Sequence, residues 1–119
     1  MHRLRLFGLA AVLAAFAACA SSPKPESQIA SSEGAIRGAS EAGAKNVPQA
    51  TLHLRLAQEQ RATALQLIAN GENGRAKYVL ERSEADAELA LALAREANAK
   101  AEAGEASEKV QDLQQKVQP

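Results

Sequence analysis

Tryptophan is absent from this chain, and one tyrosine and two phenylalanines bring the aromatic share to only 3%. Hydrophobic residues make up 46% of the 119, but alanine supplies most of that share. Such a chain buries little apolar area per residue, which excludes a thick globular core and leaves room for one small domain at most. Long helices are the alternative, because alanine has the highest intrinsic helix propensity and loses no side-chain entropy. A single cysteine, Cys19, excludes an internal disulfide. His53 is the only histidine beyond the N-terminal segment, so no Cys/His metal cluster can be assembled and a surface or partly packed residue is expected.

Charge of one sign is lacking too. Fourteen basic residues balance fourteen acidic ones, with no basic patch interleaved with aromatics, which argues against nucleic acid as a partner. The acidic trio Glu84, Asp86 and Glu88 is spaced by two, so on a helix it points to different faces and reads as solvated charge. Glu84 and Glu88 share a face, where Arg95, or Arg55 across a hairpin, could relieve their repulsion. The run "GENGRAK" lacks the strand and the GK[ST] ending of a phosphate-binding loop, and no serine–histidine–acid set is legible. The expectation is therefore no enzyme, no metal, no cofactor and no small-molecule substrate.

What the chain does have begins at its N-terminus. Arg3 and Arg5 precede a continuous small or apolar run from Leu6 to Ala18, about thirteen residues, against the roughly 20 that a spanning helix needs. The run closes on "FAAC", Phe16 to Cys19, which resembles the lipobox of bacterial lipoproteins, with Phe16 where leucine is commonest. That resemblance implies a signal peptide over residues 1–18, cleavage before Cys19 and a lipid (palmitate-type acylation) on Cys19. Two or more acyl chains give stable anchoring where one does not. The competing readings are an unlipidated secretory signal cut nearby and an uncut membrane anchor. Ala20 follows the cysteine where no aspartate stands, and by resemblance to the sorting rule of enteric bacteria this favours the outer membrane over the inner, with the chain facing the periplasm. Removing residues 1–18 leaves twelve basic against fourteen acidic residues, a net of about −2.

The rest divides by its punctuation. Residues 19–27, with Pro23 and Pro25, read as a lipidated flexible linker. Residues 28–97 read as an alanine-rich helical domain. A first helix is expected over 28–44, with Ile29, Ile36, Ala39 and Gly43 on one face. A second is expected from Pro48 to about Asn70, with Leu54, Ala57, Ala64, Leu65 and Ile68 in a stripe. "NGENG", Asn70 to Gly74, is the clearest turn, with Asn73 as a candidate N-cap for a third helix. Tyr78 is expected to pack at this turn. The third helix meets no proline until Pro119, and its stripe of Ala76, Val79, Leu80, Ser83, Ala87, Ala90 and Ala94 lets a partner helix approach closely. The fold class is thus all-α: an antiparallel helical hairpin or small three-helix arrangement whose C-terminal helix outruns its partner beyond Ala97.

Residues 98–119 form the expected coiled-coil-like extension. Ala99, Ala103, Ala106, Val110, Leu113 and Val117 recur at alternating steps of four and three, as a coiled-coil seam does. Glu96–Lys100, Glu105–Lys109 and Asp112–Lys116 are acid-before-base pairs at i, i+4. The extension is either a solvated, fraying helix end or a surface for a second copy or another envelope protein.

"SEADAELALALARE", Ser83 to Glu96, with Pro48 and the glycine turn before it, resembles the domain of unknown function 4398 of Gram-negative lipoproteins and envelope proteins. The resemblance covers about 29–97, and "EADAELA" (Glu84 to Ala90) is its most distinctive part. In some relatives a linker helix and an OmpA-like peptidoglycan-binding domain follow, and neither activity nor catalytic residues come with it. Together these readings imply a lipid-anchored structural or adaptor protein of the cell envelope acting through helix–helix contacts. The alternative is a binding module holding a peptide or envelope polymer in a small-residue groove.

Overall fold

A computed structural model describes residues 22–117. The expected signal segment and Cys19 lie outside the described residues. Among the described residues three helices form: α1 (Glu26–Glu41), α2 (Pro48–Ala69) and α3 (Asn73–Val117), with a 3-10 turn at Ala44–Asn46 between the first two. No strand occurs among the described residues. The fold is the expected all-α hairpin with a third helix against it.

Each boundary has a local cause. Pro48 opens α2 at a position whose N–H has no intrahelical acceptor, so nothing is lost by its absence. The α2–α3 turn is a Schellman closure. Gly71 takes φ +79 and donates its N–H to Ile68 O at 2.9 Å, while Glu72 N–H reaches back to Leu67 O at 2.8 Å. The first helix begins at Glu26, earlier than Gln28, with Pro25 as a buried N-terminal flank. It also ends earlier, at Glu41, because Gly43 turns into the left-handed region at φ +86 and breaks the ladder before Ala44. Thr51 Oγ1, within 2.9 Å of Ala44 O and 3.0 Å of Val47 O, braces this corner.

Of the expected linker, Glu26 and Ser27 form the first turn of α1. Residues 22–25 are non-helical, and Asn73 Nδ2 donates to Ser22 O at 2.8 Å, which brings the entering chain to the turn end of the hairpin. Asn73 is itself the first helical residue of α3, with its Oδ1 buried and unpaired, so it serves as this tie and not as the expected N-cap. At the other end of the bundle Asn98 Nδ2 donates to Ala42 O at 3.1 Å. The first helix therefore runs parallel to α3, and α2 runs antiparallel to both.

Both shorter helices pack chiefly on α3, and their contact with each other is the smallest of the three. The core is thin, as the composition demanded. Of its fully buried side chains the largest are Leu80, Ser32 and Ser83. One apolar cluster, at the corner end, joins Ala39, Ala44, Ala50, Leu54, Ala90 and Ala94, with Ile36 and Val47 packed against it. A second, at the turn end, joins Ala64, Ala76 and Leu80 with Ile29, Leu67 and Ile68. Leu65, placed in the stripe by periodicity, is instead 39% exposed, and Leu67 takes the packed position. Tyr78 sits near the turn but is 68% exposed, because its face of α3 lies outside both clusters. Among the described residues the hydrogen bonds and ion pairs between helices lie within residues 22–98, so the bundle is closed without the remainder of α3.

Candidate functional site

Two features beyond plain packing stand out: a polar waist between the apolar clusters, and the uncovered end of α3. At the waist, α2 and α3 come close enough for Ser83 Oγ to donate to the main-chain carbonyl of Ala57 at 2.7 Å, both residues being fully buried. Beside this contact His53 Nδ1 lies 2.9 Å from Asp86 Oδ1, and Gln60 Nε2 donates to Asp86 Oδ2 at 2.8 Å. A carboxylate only accepts, so the imidazole carries its proton on Nδ1. Across the other groove, Arg61 Nη2 meets Glu33 Oε2 at 2.9 Å, and Arg37 reaches the same carboxylate at 3.4 Å, bonding α1 to α2.

The acidic trio read as solvated charge is therefore corrected at its centre. Asp86 is only 23% exposed and serves as a cross-helix acceptor. Its spacing from Glu84 and Glu88 showed that it points elsewhere. It did not show that this direction faces His53 and Gln60, 33 and 26 residues away. Arg55 pairs with Glu59 along its own helix, at 3.7 Å, and not with Glu84 or Glu88.

Burial pushes the Asp86 carboxyl upward, but hydrogen bonds from His53 and Gln60, with the charges of His53 and Arg82, outweigh it and hold the carboxyl below its ordinary value. A carboxylate depressed in the folded state stabilises the fold above its unfolded value, about 3.9, and that contribution is lost as pH falls through the lower folded value. Thermal unfolding followed by circular dichroism between pH 5 and pH 2 should thus show a falling midpoint that Asp86→Asn makes shallower below about pH 4. Equal slopes in the two proteins would leave Asp86 without this role. Chemically the waist is a clamp: it holds one proton between two helices, and it lies apart from the cleft lined by Ser22 to Gln28 and Asn73 to Tyr78. No group of three or more metal-ligating side chains occurs among the described residues.

The small-residue stripe of α3 turns into the bundle, with Val79 only partly buried. Ala76, Leu80, Ser83, Ala87, Ala90 and Ala94 are all buried against the other helices, so no open groove runs along them. Past Ala97 the situation reverses. Every residue of 98–117 is exposed, including the whole seam of Ala99, Ala103, Ala106, Val110, Leu113 and Val117. Val110 is 53%, Leu113 60% and Val117 80% exposed. This end spans about 30 Å at the helical rise of 1.5 Å per residue. Lys100–Glu96 and Lys116–Asp112 form as expected, the latter at 2.7 Å, while no bridge closes between Glu105 and Lys109. The Lys100 ammonium, by hydrogen bond and charge, holds the Glu96 carboxyl below its ordinary value. No helix of the described residues is long and apolar enough to cross a membrane.

No family model, curated protein or solved structure matches the chain. The site reading therefore rests on the chain's own chemistry.

Proposed function

We propose that this chain is a lipid-anchored adaptor of the bacterial cell envelope, working through helix–helix contact at the free end of α3. One observation carries the contact: a single helix leaves the bundle after Ala97 and presents six seam residues to solvent, three of them Val110, Leu113 and Val117. An isolated stretch of this length is marginal as a helix in water, and a seam at coiled-coil spacing gains its stability from a second helix laid along it. The anchor rests on the "FAAC" motif at Cys19, and the envelope setting on that motif together with the likeness to the domain of unknown function 4398. Asn73 holds the entering chain at the turn end, so a lipid on Cys19 leaves the seam at the far end of the molecule from the membrane.

A photo-crosslinking residue at Val110 or Leu113, introduced into cells, should yield a discrete adduct, whereas one at Glu108, off the seam, should yield little. Equal labelling from all three positions, or none, would remove the seam from the mechanism. Cys19→Ser should abolish fatty-acid labelling and release the chain from the membrane fraction. A Cys19→Ser chain that stays processed and membrane-bound would refute the anchor.

A further inference from the structure

The seam is graded along its length. Its first three residues, Ala99, Ala103 and Ala106, are all small, and its last three, Val110, Leu113 and Val117, are all large. Charge is graded in the same direction. Residues 98–108 carry one lysine against three glutamates, and residues 109–117 carry two lysines against one aspartate. A partner that fits such a face must be large and basic where this one is small and acidic, and the reverse at the other end. The same stretch, turned end for end, has that pattern.

We propose that the 98–117 end of α3 pairs antiparallel with the same stretch of a second copy of this chain. The pairing rests on the seam reading above and names its partner. In a register centred on Glu108, every layer of the contact sets a small residue against a large one: Ala99 against Val117, Ala103 against Leu113, Ala106 against Val110, each twice by symmetry. Helix separation depends on the side chains at the contact, so layers of equal summed size let two straight helices stay in touch throughout. A parallel pair would stack alanine on alanine at one end and branched residues on each other at the far end, splaying apart as it went. The flanking positions agree. Glu102 comes opposite Lys116 of the other copy twice over, and the one like-charged contact is Lys109 with its own symmetry mate. The axis is two-fold, so the contact closes on itself and produces a dimer, not a filament.

Residues 22–119 carry the whole bundle and the seam without Cys19, and so are cysteine-free. Sedimentation equilibrium on this chain should show a monomer–dimer equilibrium. Glu102→Lys should weaken the dimer about five- to tenfold by turning two attractive contacts repulsive, and Glu102→Lys combined with Lys116→Glu should restore it. The thermal midpoint of the bundle, which is closed within residues 22–98, should stay unchanged in both. For orientation, Ala103→Cys and Leu113→Cys chains are oxidised separately and mixed, one carrying a mass tag. A disulfide formed chiefly in the mixture supports the antiparallel pair, and disulfides formed chiefly within each single variant overturn it. A chain that remains monomeric to about 1 mM, the weakest useful affinity, overturns self-pairing altogether. The adaptor reading is judged separately. A Val110 adduct in cells at the mass of one chain plus a different protein would keep that reading and reject this partner.

Discussion

Leu80→Ala is expected to lower the unfolding free energy of the bundle by about 2–5 kcal/mol. Leu80 is fully buried at the turn-end cluster, among residues that are otherwise alanine or only partly covered. A core built largely from methyl groups has few side chains able to move into the space that leucine leaves, so the cavity persists and the cost falls toward the upper part of the range. For a domain of this size each kcal/mol lowers the thermal midpoint by about 4–8 °C, so the loss is plain in a single melting curve. Leu113→Ala, made at a residue 60% exposed, supplies the contrast. Measured below the concentration at which chains associate, it should leave stability within about 0.5 kcal/mol. Similar losses from the two leucines would mean that α3 is packed very differently from the arrangement described above.

The opposite change, Ala87→Leu, should be almost as damaging, at about 1–3 kcal/mol or more. Ala87 is fully buried on α3, one turn from Ser83, whose hydroxyl bonds the main-chain carbonyl of Ala57 at 2.7 Å. At that spacing no room exists for three further carbons without prying α2 from α3. Separation would break the Ser83 bond and leave a buried carbonyl unpaired, a loss of about 1–3 kcal/mol in its own right. Urea unfolding of Ala87→Leu beside Ala85→Leu, an exposed position on the same helix, isolates the effect of the close approach. If the two behave alike, small residues at this interface are a by-product of composition and not a condition of the fold.

Helix number, the glycine turn, the buried face of α3 and the point near Ala97 where cover runs out were all legible in the sequence. Each depends on short-range rules: alanine's helix propensity, proline at a helix start, glycine at a helix end, and the period of 3.6. What escaped were interactions set by how helices rotate against each other. Asp86 looked solvated from its own helix, and only the closeness of α2 at Ser83 brings it under His53 and Gln60. Leu65 and Leu67 both fit an approximate stripe, and a modest rotation of α2 decides which one packs. Asn73 carries the chemistry of an N-cap, but its amide is taken by Ser22, 51 residues earlier in sequence, a contact no local pattern encodes. The seam was legible because its period is regular, and the structure contributes the fact that the bundle leaves it bare.

The bond from Asn73 to Ser22 also sets a length. It puts the entry of the chain level with the start of α3, and from there the helix climbs about 50 Å to the middle of the seam at the usual rise. Two copies paired end for end would carry their entries about 100 Å apart and facing opposite ways. Chains tethered to one flat surface would then have to lie down along it to pair, whereas chains standing on two facing surfaces would join as a strut. Under that pairing, the short tie at the foot of the bundle would fix a span counted in turns of a single helix.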